Sequence, residues 1–318
     1  MKNNTITAIE GLLAGHCTDR ENVTGCTTII CPEGFTPGVY VPGFAPSSRE
    51  IELMRPEARV EEVHGILLTG GSAFGLAAAD GVMRWMRERG YGLPTTYATV
   101  PIVAGAVIYD LDMNRQPGIL PDADMGYAAC QAASTAPLAQ GCQGVGVGAR
   151  LGKLFHLARD ANARSSKSGL GTALVERNGL MAGAAVVVNA LGNLHDPDNG
   201  AFLSGGRDAA GRPLGREEML AALAGDGIPR SNTVLAVVAV NAPLSKVQTS
   251  RLARMAGTGI ARAIRPTHLT FDGDVVFALA SKKPLPAEVG AWSENLLGVM
   301  AAEAVAQSIV NAVKFASE

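Results

Sequence analysis

Short apolar runs alternate along the chain with segments in which apolar residues recur every third or fourth position. The runs predict strands and the periodic segments predict helices. The first forty residues mix short apolar pieces with Gly, Thr and Pro, as in TGCTTIICPEG from Thr24 to Gly34, and read as strands and turns. Gly65 to Leu68, Val100 to Tyr109, Met181 to Asn189 and Thr233 to Asn241 predict further strands, the last two apolar almost throughout. Helices are predicted from Ser72 (as N-cap) to about Arg89, from Asp124 to Ala133, from Arg216 to Leu223, from Pro243 to about Ile264 and from about Pro286 to Phe315. In the last, Val289, Trp292, Leu296, Met300, Ala304 and Val313 recur at mostly three- and four-residue steps. Gly141 to Gly152 reads as a glycine-rich connection, Asn162 to Thr172 as an exposed loop, and Asp196 to Gly215 as the longest loop. Leu269 to Ser281 reads as a hairpin turning around Asp272-Gly273-Asp274. Strands and long helices alternate with no repeat and no long linker, which predicts one layered α/β unit.

Composition narrows the class. Of 318 residues, 47% are hydrophobic and 18% charged, which excludes global disorder and supplies a large core. Aromatics are only 5% and glycines number 38, so that core is built from Ala, Val, Leu and Ile with close backbone approaches. The net charge of −2 and the lack of a basic block argue against nucleic acid as a partner. Five cysteines without a CxxC pair read as reduced thiols. The opening MKNNTITAIEG lacks an apolar signal core, and no apolar run approaches the ~20 residues of a membrane span. A cytoplasmic protein without a membrane partner is the expectation.

Candidate chemistry is sparse. GILLTGGSAFG, Gly65 to Gly75, runs strand, glycine turn, helix, and is either a structural turn or a loop whose N–H groups face an anionic ligand. GVGVGARLGK, Gly144 to Lys153, has GxGxxxG spacing and no acid about twenty residues on, so no dinucleotide is expected. The five histidines show no metal-ligand spacing, and neither metal nor cofactor is implied. Asp272-Gly273-Asp274 is either a bare turn or a partly buried strand end bearing two acids. At Asn232-Thr233 a loop ends and a buried-type strand begins with a hydroxyl residue. A threonine there can attack the preceding carbonyl, pass through an ester that water opens, and become a new N-terminus. Its α-amine, with a free pKa of ~8, then serves as base for its own hydroxyl.

Seven collinear segments resemble the self-processing family that contains the L-aminopeptidase/D-esterases, the β-peptidyl aminopeptidases and the nylon-oligomer hydrolases. They are TGCTTIICPEG, GILLTGGSAFGLAAADGV, PIVAGAVIYDL, the GARLGK stretch, VVVNALG, NTVLAVVAVNA and ARAIRPTHLTFDGDVVFALAS. The resemblance implies a four-layer αββα sandwich like that of the N-terminal-nucleophile hydrolases. It also implies a single domain cut into residues 1–232 and 233–318. It assigns the nucleophile to Thr233 after the scissile Asn232, the oxyanion donor to Asn189, and further site roles to Tyr109, Lys153, Asp272 and Asp274. Tyr109 and Lys153 are then donors to substrate or hydroxyl, and the acids hold the new ammonium or tune the amine. The expected activity is aminopeptidase-like hydrolysis of small peptides, amides or esters. The alternatives are a 6-aminohexanoate-oligomer endohydrolase, which the threonine nucleophile resembles, and a non-catalytic metabolite binder using Gly70-Gly71. Association of processed heterodimers into a tetramer is implied as well, with the Ala-rich C-terminal helix offering a flat apolar face.

Overall fold

The structure is a computed structural model that describes residues 2–156, 165–224, 232–285 and 293–316. In chain order the main elements are β1 (Leu13–Asp19), β2 (Thr24–Tyr40), β3 (Val63–Thr69), α1 (Ala78–Glu88), β4 (Val103–Val107) and α2 (Ala123–Gln131). There follow β5 (Leu170–Arg177), β6 (Leu180–Asn189), α3 (Arg216–Leu223), β7 (Thr233–Val240), α4 (Lys246–Ala263), β8 (Val275–Ala280) and α5 (Ser293–Lys314).

The 17-residue β2 joins two layers. Its first half pairs with β1 and β3, its last five residues pair with β8, and the register shifts between Ile30 and Phe35. Pro32 lacks an N–H for a ladder and Gly34 has φ +71°, which is why the strand bends there. The hydrogen-bonded order is β5-β6-β7-β8-β2-β3-β4, with β7 and β8 parallel, β3 and β4 parallel, and the other neighbours antiparallel.

Alternate side chains build three apolar slabs. Ile29, Ile66 and Leu68 from one layer meet Val187, Leu235, Val237 and Phe277 from the other. On the outer face of the second layer Val186, Val188, Val234, Ala236 and Val276 pack on Leu252, Ile260, Val305 and Ile309 of α4 and α5. Outside the first layer, Cys26, Ile30, Leu67 and Val103 pack on Val82, Trp85, Met86 and Ala129 of α1 and α2. The result is helix, sheet, sheet, helix, the expected αββα order. Strands buried on both faces explain why their sequences are apolar throughout rather than alternating. The glycines are close contacts: a Cβ on Gly259 of α4 would lie 2.2 Å from the Ala302 carbonyl oxygen of α5.

Several expectations need correction. Ser72 caps no helix; it follows Gly71 (φ +79°) with φ +52°, and a 3₁₀ stretch Ser72–Ala77 precedes α1. The helix after Pro243 begins at Lys246, where Ser245 and Gln248 form a capping box. Leu269 to Ser281 is no hairpin. Only Val275–Ala280 is a strand, and it pairs with β7 and β2 rather than with an adjacent arm. A helix was expected from Pro286, an exposed loop from Asn162 to Thr172 and a break ahead of Asn232; residues 286–292, 162–164 and 225–231 lie outside the described residues. The rest of the expected loop is not one, since Ser166–Lys167 pair as a short strand and the buried Leu170, Gly171 and Thr172 open β5. Contrary to the expectation of no span-like run, α5 is long enough to span a membrane, and an 18-residue window within Glu294–Lys314 has a mean hydropathy of 1.6. It is a core helix, 67% buried against β5, β6 and α4, so its apolar face is used inside the chain.

Candidate active site

The three central strands of the second layer meet at one end. The last residue of β6, Asn189, stands opposite Thr233, the first of β7. Because β8 is parallel to β7, the chain entering β8 lies beside the chain entering β7, and Asn232 bridges to Asp272. Directly opposed residues project on one face with Cβ atoms ~5 Å apart. The alternation that turns Val187 and Leu235 into the space between the sheets turns Asn189 and Thr233 the same way.

Thr233 is buried, and its hydroxyl donates to the carbonyl oxygen of Asn232 at 2.5 Å. The same carbonyl accepts the Gly273 N–H at 2.9 Å. A Cβ on Gly273 would lie 2.9 Å from both Thr233 Oγ1 and the Ala45 carbonyl oxygen, so only glycine lets this loop come so close.

Both acids are buried at the entrance of β8. Asp274 Oδ1 accepts the Val234 N–H at 2.6 Å, while Oδ2 lies 2.7 Å from His268 Nδ1 and accepts the Thr267 hydroxyl at 3.3 Å. Asp272 Oδ2 accepts the Leu269 N–H at 2.7 Å. The carbonyls of Asp272 and Asp274 accept the N–H groups of Ala45 and Gly43 at 3.0 and 3.3 Å. Burial and the neighbouring Asp274 carboxylate push the Asp272 carboxyl up to about 7, against the opposing pull of the Leu269 N–H, His268 and Lys153. Of the two readings of this motif, the buried strand end is the one the fold adopts.

Lys153 is buried in the 3₁₀ turn Lys153–His156. The Gly152 and Leu154 N–H groups hold that turn to the carbonyls of Gly192 and Leu191, just past Asn189. Burial lowers the ammonium to about 7, while Asp112 and Asp272 act in the opposite sense. Asn189 is clamped at both ends: Nδ2 donates to the Tyr109 carbonyl at 2.8 Å and Oδ1 accepts the Arg150 N–H at 3.2 Å. Tyr109 thus joins the cluster through its backbone; among the described residues its phenol makes no hydrogen bond to it.

The glycine turn after β3 is structural. Asp110 accepts the Gly71 N–H at 2.6 Å and the Thr24 hydroxyl at 3.0 Å, Gly70 N–H donates to Gly25, and Ser72 N–H to Ile108. Its N–H groups are therefore not offered to a ligand. The second glycine-rich stretch is a 3₁₀ turn, Gly144–Gly148, whose first N–H groups donate to the hydroxyls of Thr18 and Thr27. Among the described residues no group of three or more His, Cys, Asp or Glu is placed to hold a metal.

Sequence reasoning missed His268, weighed there only against metal-ligand spacings, though it lies six residues before Asp274 in THLTFDGD. It also missed Lys167, whose Nζ donates to the carbonyls of Gly146, Ala149 and Ser168 and so steadies the segment carrying Arg150 and Lys153. No spacing rule would have found a lysine that works by capping carbonyls.

Two facing sheets clad in helices give the αββα layering of the N-terminal-nucleophile hydrolase fold. The same architecture is seen in the L-aminopeptidase D-Ala-esterase/amidase from Ochrobactrum anthropi, described as a variant of the Ntn hydrolase fold. The two align with a TM-score of 0.71 and 22% identity over 98% of this chain and 85% of that one. A Burkholderia sp. beta-aminopeptidase aligns with a TM-score of 0.67 and 25% identity over 98% and 86%. The sequence profile of Peptidase family S58 matches residues 4–318, and the chain belongs to that family, an enzyme class acting on peptide or amide bonds. An uncharacterized aminopeptidase of Mycobacterium tuberculosis is 38% identical across 98% of this chain and 93% of its own length. A 6-aminohexanoate-oligomer endohydrolase of Kocuria sp. is 28% identical across 96% and 84%.

Proposed function

We propose that the chain is a self-processed aminopeptidase-like hydrolase whose nucleophile is Thr233. The observation that carries this reading is the 2.5 Å contact of the Thr233 hydroxyl with the Asn232 carbonyl oxygen, which also accepts the Gly273 N–H. In the first reaction Thr233 Oγ1 bonds to the Asn232 carbonyl carbon, and the hydroxyl proton ends on the Thr233 nitrogen as the C–N bond breaks. Gly273 N–H stabilises the charge that develops on the carbonyl oxygen. Water then opens the ester, leaving a carboxylate on Asn232 and a free Thr233 amine.

In the second reaction that amine takes the proton of its own hydroxyl while Oγ1 attacks a substrate carbonyl. Asn189 has a second amide N–H beyond the one given to Tyr109, and it serves as the oxyanion donor. The leaving amine takes the proton, and water releases the acyl group from Oγ1. Burial draws both Lys153 and Asp272 towards neutrality, which suits them to hold or release a proton in this region near pH 7.

A second reading, endo-hydrolysis of 6-aminohexanoate oligomers, is supported by the threonine nucleophile and the 28% identity to such enzymes. A metabolite-binding role for Gly70-Gly71 is disfavoured, because the N–H groups of that turn have partners in the protein. A denaturing gel of purified protein tests the processing. Cleavage after Asn232 leaves an 86-residue small chain of about 9 kDa from a 32.8 kDa precursor. Sequencing of that chain should begin at Thr233, and any other start removes the mechanism. Aminoacyl nitroanilides assayed beside a 6-aminohexanoate oligomer separate the two substrate readings.

A further inference from the structure

We propose that His268 is a positioning residue for the nucleophile, acting through Asp274 on the first peptide of β7. This inference rests on Thr233 being the nucleophile and adds a residue that neither the family resemblance nor its motif assigned. His268 Nδ1 lies 2.7 Å from Asp274 Oδ2, and the other oxygen of the same carboxylate accepts the Val234 N–H at 2.6 Å. That N–H belongs to the peptide joining Thr233 to Val234. Fixing it fixes the plane from which the Thr233 amine and hydroxyl project. The neighbouring strands hold Thr233 only through backbone pairing at the end of a ladder, so the carboxylate is the side-chain anchor of that peptide.

The carboxylate itself needs a partner on its far side. Asp274 is almost wholly buried beside Asp272, and besides His268 its Oδ2 has the longer Thr267 contact at 3.3 Å. With the imidazole removed, the carboxylate is free to turn about its Cβ–Cγ bond and Oδ1 leaves the Val234 N–H. His268 holds this post in a left-handed conformation, φ +59°, which only a few per cent of non-glycine residues adopt, Asn, Asp and His more readily than the rest. Backbone strain of this kind persists where the surroundings over-determine it, and it clusters at functional sites. The side chain is 23% exposed, so the imidazole spans from solvent to the buried acid.

The test compares His268→Ala with His268→Asn. Asparagine tolerates the left-handed backbone and places an amide N–H where Nδ1 stands, whereas alanine offers no donor. The processing rate, kcat and KM on an aminoacyl nitroanilide are measured, together with the amide proton resonance of Val234. For His268→Ala the expected result is a loss of about 10- to 100-fold in kcat with KM within twofold, the scale of a sub-ångström misplacement of the reacting group. The Val234 amide resonance should move in the same variant. His268→Asn should restore kcat to within about fivefold of wild type and return the Val234 resonance. Wild-type kcat in His268→Ala, equal impairment of both variants, or an unmoved Val234 resonance overturns the proposal. If wild-type protein neither processes nor hydrolyses any substrate, the nucleophile reading falls. The Val234 comparison needs no activity and still decides whether His268 orients that peptide.

Discussion

Gly273→Ala puts the geometry around Thr233, the proposed nucleophile, to a direct test. The new Cβ would meet Thr233 Oγ1 and the Ala45 carbonyl oxygen, each at 2.9 Å, whereas ordinary contact begins near 3.4 Å. One or both must yield by about 0.5 Å. The Ala45 carbonyl belongs to a segment whose own N–H is bonded to the Asp272 carbonyl, so the hydroxyl is the softer party. A displacement of 1 Å from a reactive geometry costs on the order of 10²-fold in rate, so half of that predicts roughly a 10-fold loss. Folding should survive. Gly273 does not have a left-handed backbone, its N–H is untouched, and the lower entropy of the unfolded alanine chain offsets ~0.4–1 kcal/mol of the strain. The assay is a time course of precursor conversion on denaturing gels after synthesis in vitro, followed by kcat on the fully processed fraction, with the melting temperature of each sample. A variant that processes and turns over at wild-type rates would show that Thr233 Oγ1 does not react from the position described.

Three further predictions bear on the neighbouring groups. Asn189→Ala should lower kcat by ~10²–10³, the usual loss for one oxyanion donor, and cost about 1–3 kcal/mol of stability. The stability loss follows because the Arg150 N–H and Tyr109 carbonyl lose their partner; a change in KM alone would make Asn189 a packing residue. Asp272→Asn and Asp274→Asn should each slow processing or turnover by ~10²-fold or more, and two fully processed variants with wild-type rates would reduce the motif to a loop. Lys153 should make stability depend on pH. Its folded pKa of about 7 lies below the ordinary lysine value of 10.5, so between those limits the unfolded chain holds a proton that the native one lacks. Its contribution is therefore fully present above about 10.5 and lost as pH falls to about 7. In an unprocessed Thr233→Ala background, denaturant unfolding should show stability rising with pH by up to ~1.4 kcal/mol per unit relative to a Lys153→Met partner. Parallel curves for the two proteins would refute the buried neutral amine.

Much of the architecture was legible because a strand buried on both faces must be apolar at every position. That condition marked β6 and β7 from composition alone. The long periodic stretches marked α4 and α5 by the same logic, since one stripe of each must meet a sheet. The hairpin expected around Asp272 shows where local pattern gives way. Turn residues between apolar pieces look alike whether the flanking strand pairs with its sequence neighbour or with a strand from elsewhere in the chain. Here the partner of β8 is β7, joined to it through α4, and the acids are thereby carried into the interior instead of standing at a solvent-facing tip. Ser72 misled for a similar reason: its propensity to cap was real, but Asp110, 38 positions away, holds the turn.

What the sequence determined by itself was the set of parts: the apolar strands, the glycines that permit close layers, and a hydroxyl residue at the mouth of a buried strand. Side-chain chemistry and periodicity are properties of a residue and its near neighbours, so they can be read in one dimension. Only the tertiary structure decided which parts meet. Antiparallel pairing put Asn189 beside Thr233, and the parallel β7–β8 pair brought Asp272, Gly273 and Asp274 to the same end. The bend of β2 laid one sheet over the other and closed water out of the gap. Burial then drew Lys153 and Asp272 towards neutrality. Those shifts arise from desolvation and from charges distant in sequence, and neither exists until the chain has folded.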